Sequence, residues 1–300
     1  MIYETGTLVR HPLKPEWGPA KVLRVQGVKV HVLFRDLPDK EAKVINTSVI
    51  ALVMAEMQSD PVLDNLPPLI EQGGKLLLPG KRHRLTASQT IEKFLKLFPQ
   101  GFNDPRYFIE ERDYKWAAHE KFKESLGDGK GRDLLDQGEI TELAQRALAV
   151  CSKVNLLSPY ENMAFHDALQ NRQAAAHYFT ALFNLLEAEK ITKGILEPYL
   201  DAVIQLPREE GKARVATWPV TSLFPFLAQP DRHMFLKPGV TAEAAESLSF
   251  DLRYDPQPNW KTYESLLRMG SAYRELVHYL GLRDFIDVQS FIWVAGGGYK

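Results

Sequence analysis

The sequence predicts an α+β protein, with a small N-terminal β-barrel followed by a larger, mostly α-helical domain. Three observations carry that expectation. Period-two alternation and tight turns fill residues 1–55. Residues 56–84 have low periodicity and hold Pro61, Pro67, Pro68, Gly73, Gly74, Pro79 and Gly80, the composition of a linker that could dock on one of the domains. From 85 to 300 apolar residues recur at helical spacing behind capping residues.

In the first region Thr7–Arg10 reads as a strand, followed by the turn-rich stretch from His11 to Pro19. Ala20–Val25, a Gln26-Gly27 turn and Val28–Phe34 follow. The last run sets Val28, Val30, Val32 and Phe34 on one face and Lys29, His31 and Leu33 on the other, the pattern of a half-buried strand. Ala42–Leu52 offers one or two more, and about five short strands in such a length suggest a barrel.

The helical region opens at a Thr86/Gln89 capping box ahead of Ile91, Phe94, Leu95 and Phe98, with Pro99 as the stop. Asp104-Pro105 caps a helix through Lys123, and Gly127-Asp128-Gly129 breaks it. Leu134 to Cys151 forms a further helical segment. A second capping box, Ser158/Glu161, opens one long helix through Leu186. Ile195, Tyr199, Val203 and Leu206 make another stripe. Residues 207–240 hold five prolines among apolar residues and read as a buried irregular loop. Thr241, Asn259 and Asp284 cap the last three helices, with Gly281 at a C′ position and Gly296-Gly297-Gly298 as a tail.

Lys and Arg number 37 against 38 Asp and Glu, a net charge of −1, so nucleic-acid contact would need a local patch. The lone Cys151 excludes an internal disulfide and reads as a small core residue. Met1-Ile2-Tyr3-Glu4 shows no signal-peptide pattern, and the longest apolar run, Val49–Ala55, is far short of the ~20 residues of a membrane helix. A soluble, cytoplasmic protein with no membrane partner is expected.

The pattern Gly6-x-x-Val9-x-His11-Pro12, then Glu16-Trp17-Gly18, Lys21-Val22 and the strand from Val28 to Phe34, resembles the Tudor-like tail of UvrD/PcrA-type helicases. More distantly it is similar to the polymerase-interacting module of CarD and of transcription–repair coupling factors. The resemblance covers about fifty residues. It implies an SH3/Tudor-like barrel and, by analogy, partners in DNA or in a DNA/RNA-processing protein. No Gly-x-x-x-x-Gly-Lys-Ser/Thr loop is present, so the chain is not itself expected to be a helicase.

Candidate contact residues are Trp17, which could stack on a base or simply close the barrel, and Lys81, Arg82 and Arg84 at the linker's end. Six basic residues stand against Glu92 between Lys75 and Lys96, a local charge of +5. Arg232, His233 and Lys237, just ahead of a helix, form a candidate anion site. Glu110, Asp113 and Glu120 fall on one helical stripe, but Lys115, Lys121 and Lys123 would neutralise it as an ion-paired surface. His166 and His177, eleven apart on one expected helix, would lie ~16 Å from each other and could not share an ion. No cofactor and no metal site is expected. The leading reading is a non-catalytic adaptor or nucleic-acid-associated protein near DNA repair or transcription. The alternatives are a metal-dependent nuclease or other nucleic-acid enzyme, and a protein-interaction module unrelated to nucleic acid.

Overall fold

A computed structural model describes residues 3–39, 41–79, 87–208, 210–295 and 299. An N-terminal antiparallel sheet precedes a helical region, so the α+β class stands. The sheet comprises β1 (Leu8–Arg10), β2 (Pro19–Gln26), β3 (Lys29–Phe34), β4 (Lys43–Asn46) and β5 (Val53–Met54). Their order is β4-β3-β2-β1-β5, and among the described residues β4 and β5 do not pair. The expected barrel is therefore an open sheet, and Glu41 and Ala42, just ahead of β4, bond instead to Leu77 and Leu76. β5 contributes only two residues, too few to curl round and meet β4.

One face of the sheet is its core: Val9, Ala20, Val22, Val30, Val32, Phe34 and Ile45 are buried together. The other face is not open to water as alternation suggested, since His31 and Leu33 are buried as well. Residues 56–79, read from sequence as a linker, supply the cover. They contain a 3-10 turn (Leu63–Asn65) and a hairpin of β6 (Ile70–Gln72) and β7 (Lys75–Leu77) across Gly73-Gly74, both at positive φ as a tight hairpin turn requires. The cover is fastened by charge. Lys21 donates to Asp64 at 2.8 Å, Arg24 meets Glu71 at 2.8 Å, and Arg35 reaches the fully buried Asp60 at 2.9 Å. Asp60 also accepts from the backbone of Val62 and Leu63. Val62 then joins the core of the helical body, and Asn65 accepts from the Asp251 backbone, so this segment ties the two parts together.

The body is built from α1 (Ala87–Leu97), α2 (Pro105–Tyr107), α3 (Asp113–Ser125), α4 (Lys130–Asp136), α5 (Ile140–Cys151), α6 (Pro159–Leu169), α7 (Arg172–Glu187), α8 (Lys193–Ile204), α9 (Trp218–Ala228), α10 (Pro238–Leu248), α11 (Trp260–Val277) and α12 (Phe285–Ala295). Local capping chemistry sets many of these starts. Asp104 caps α2, the Ser158/Glu161 capping box is complete on α6, and Asn259 caps α11. Asp284 accepts from the backbone of Ile286 and Asp287 at the start of α12.

Three expectations are corrected. The long helix from Ser158 is two helices, because the Asn171 side chain accepts from Ala174 and starts α7. His166 and His177 therefore sit on different helices. Residues 207–240 are not wholly irregular: α9 lies inside them, and ten of its eleven residues are buried. Pro219 occupies its first turn, where a missing N–H costs nothing. Pro225 leaves the Thr221 carbonyl without its helical donor, and the Tyr199 hydroxyl supplies one at 2.8 Å. Lastly, α10 begins at Pro238 rather than after Thr241, whose hydroxyl accepts from the Lys237 backbone.

Candidate functional site

The first candidate surface is the sheet's hairpin end. Thr47 donates to the Val28 carbonyl through both its backbone N–H and its hydroxyl, at 2.8 and 3.0 Å. This holds the turn bearing Val49 against the turn bearing Val28. Val28 is 53% and Val49 76% exposed, with Val25 and Val44 also exposed. Lys29 stands exposed on the same turn. Trp17 is at the other end, half-buried, its ring 5.0 Å from both His11 and Phe34. It closes the sheet's core there.

Lys81, Arg82 and Arg84 lie outside the described residues. Of the flanking basic residues, Lys75 pairs with Glu41 at 3.0 Å and Lys96 with Glu92 at 2.9 Å. The three residues of the candidate anion site are brought close in sequence but engaged separately. Arg232 donates to the carbonyls of Ala188 and Glu189, just beyond the end of α7. His233 is fully buried against the Tyr263 hydroxyl at 2.6 Å. Burial pulls its imidazole down to about 3, so it is neutral. Lys237 donates to the Leu156 carbonyl at 3.1 Å.

The carboxylate stripe is likewise taken apart. Asp113 and Glu120 are exposed, and Glu110 pairs with Arg106 at 2.9 Å. Lys115 does not neutralise that surface, because it is 1% exposed. Among the described residues no group of three His, Cys, Asp or Glu side chains is placed to hold a metal ion. Cys151 is buried and its thiol is pushed up to about 12, which suits a core residue.

Sequence reasoning missed the most constructed polar region of the molecule. Between α2 and α3 the backbone passes through one π-helical turn, Phe108–Arg112, and that wider turn carries Glu111 and Arg112 inward. Arg112 forks onto Asp284 at 2.7 and 3.0 Å and reaches Asp287 at 2.6 Å. Asp287, fully buried, also accepts from the Tyr107 hydroxyl at 2.6 Å and from Arg283. Burial opposes the charged guanidinium, but the two aspartates outweigh it and hold Arg112 above its ordinary range. One turn further, Lys115 donates to Glu111 and to Ser290, both at 2.8 Å. Burial still pulls that ammonium below its usual range, against the pull of Glu111.

Above this network lies a cavity of about 230 Å³. Glu111 and Lys115 form its floor, and Tyr114, Phe235 and Trp293 bring three aromatic rings from three separate elements. Glu110, Asn155, Lys237 and Gln289 complete the polar lining. Gln289 is 5% exposed, and its Oε1 meets no hydrogen-bond donor among the described residues. A second cavity of about 340 Å³ lies beside the Gly127–Gly129 turn, with His119, Lys123 and Arg132 in its walls. His119 Nδ1 donates to the Leu227 carbonyl at 2.7 Å, and Arg132 is held by Glu187.

Residues 3–55 match a family described as protein of unknown function, DUF3553. No curated protein and no solved structure matches the chain. That match attaches no function to the sheet, and no described helix is long and apolar enough to cross a membrane.

Proposed function

We propose that the chain is a non-catalytic adaptor acting near DNA repair or transcription, and that its N-terminal sheet grips an acidic, apolar segment of a partner protein. One observation carries this reading: Val28 and Val49 stand exposed on adjoining turns at the rim of an open sheet, with Val25 and Val44 exposed beside them on its two opposite faces. Val53, Met54 and Leu13 stand exposed near the opposite edge. Apolar residues gathered on a small module mark interaction surfaces more often than chance exposure does. The basic balance supports an acidic partner. Residues 3–55 hold eight Lys and Arg against five Asp and Glu, and Lys29 has no ionic partner among the described residues. The resemblance to helicase-tail and CarD-type modules supports a nucleic-acid-processing setting.

The test is a fluorescence-anisotropy titration of the full chain with labelled peptides alternating Glu and Val, beside single- and double-stranded DNA with Mg²⁺ or Mn²⁺. Saturable peptide binding, weakened at least tenfold in the Val28→Asp/Val49→Asp variant, is expected; about 1.4 kcal/mol corresponds to each factor of ten. Peptide binding indifferent to that double change would overturn the rim as the contact surface. Divalent-dependent cleavage lost in Glu110→Ala or Asp113→Ala would replace the adaptor with a nuclease.

A further inference from the structure

We infer that the cavity above the π-helical turn binds a single nucleobase, adenine fitting it best. Its volume of about 230 Å³ falls below the ~300–1,000 Å³ of pockets for drug-sized ligands, so it suits one ring system. Tyr114, Phe235 and Trp293 offer aromatic surface from three elements, and every base has a π-face to stack on them. The charges of the lining cancel, with Glu110 and Glu111 set against Lys115 and Lys237, which favours a neutral planar group over an ion.

Gln289 gives the cavity its selectivity. A buried amide oxygen without a donor is uncommon in a folded protein, since buried polar groups are almost always paired. Neither end of this amide is engaged among the described residues. A primary amide presents one donor and one acceptor side by side, and adenine carries the matching acceptor and donor edge. Other elements of the wall are already satisfied: Lys115 is held by Glu111 and Ser290, and Glu111 by Lys115 and the Tyr299 hydroxyl at 2.7 Å. The rigid floor therefore leaves Gln289 as the buried group awaiting a partner, while the Asn155 amide in the same wall is exposed. Lys237 uses one N–H on the Leu156 carbonyl and keeps two for a phosphate oxygen beside the base. This assignment is independent of the sheet's rim.

The same base chemistry could arrive as a free nucleotide or as an unstacked base of a strand. The experiment uses the full chain, calorimetry and tryptophan fluorescence, with adenosine, AMP, guanosine, cytidine, uridine, ribose 5-phosphate and a short oligo-dA as probes. Adenosine is expected to bind saturably and to outcompete the other nucleosides. Gln289→Met should weaken it at least tenfold. Lys237→Met should weaken AMP more than adenosine. Should Gln289→Met fail to fold, the fluorescence change on adding adenosine, lost in Trp293→Phe, locates the ligand independently. Oligo-dA binding at least as tightly as AMP identifies a strand base, and AMP binding alone identifies a free nucleotide. Absence of saturable binding by every nucleoside at millimolar concentration, or equal binding of ribose 5-phosphate and AMP, would overturn the inference.

Discussion

The N-terminal sheet and the helical body both rely on ion pairs, and they use them in opposite ways. In the sheet, Lys21–Asp64 and Arg24–Glu71 sit at partly exposed positions, only Asp60 of the Arg35–Asp60 pair is fully buried, and the three clasp a cover onto one face. In the body, Arg112, Asp284 and Asp287 are each at least nine-tenths buried and fix the relative placement of α3 and α12. An exposed pair exchanges water for a partner at little net gain, whereas a buried pair must be complete or it is a liability. The sheet's charges fasten. The body's charges hold the floor of a cavity in one geometry.

The largest effect should come from breaking the buried network. Arg112→Ala strands Asp284 and Asp287 without their shared cation and removes the stack of the guanidinium over Trp116 at 5.0 Å. A loss of about 3–5 kcal/mol is expected, read as a lower urea midpoint. A loss under ~1 kcal/mol would mean that water reaches the aspartates and that the contrast between the two regions is false.

A titration gives the next effect. His233 is buried neutral, its imidazole pulled from the ordinary 6.5 down to about 3, with Arg232 adding to the effect of burial. The unfolded chain binds a proton between those values and the folded one does not. Stability is therefore intact above 6.5 and falls as the pH drops towards 3. Between pH 7 and pH 5 the expected loss is about 2 kcal/mol relative to His233→Gln, whose amide can still meet the Tyr263 hydroxyl. Equal pH slopes for the two proteins would show that His233 is accessible to protons in the fold.

What the sequence revealed follows from how local the responsible chemistry is. The capping residues Asp104, Ser158 and Asn259 satisfy backbone groups two or three positions away, so their helices were legible. The break at Asn171 was not, because apolar spacing continues across it. Helix α9 was hidden by its prolines, since the donor that rescues Pro225 comes from Tyr199, twenty-two residues from the carbonyl it satisfies. The cavity was the least legible part. Glu111 and Lys115 are an i, i+4 pair that reads the same on a surface as in a core. One signal was present: Asp287, Gln289 and Ser290 interrupt an otherwise apolar helix between Phe285 and Val294. Polar residues there imply buried partners.

The smallest effect belongs to the clasp. Lys21 donates to Asp64 and to the Leu63 carbonyl, and the two side chains are 23% and 33% exposed. Lys21→Met keeps most of the stem's packing and removes the charge. Its cost should be about 0.5–1 kcal/mol, discounted for solvent screening. Burial works against the Asp64 carboxylate, but hydrogen bonds from Lys21, Ser59 and the Asp60 backbone prevail and hold its carboxyl below the usual range. A depressed carboxyl contributes stability above its unfolded value, and that contribution disappears as pH falls through the folded value. The gap between the wild type and Lys21→Met should thus narrow below roughly pH 4, and also in high salt. Chemical denaturation followed by amide hydrogen exchange in β2 and β3, the strands that carry the sheet's core, reads this locally. A loss above ~2 kcal/mol that persists in high salt would place the clasp with the buried network and erase the distinction between the two halves.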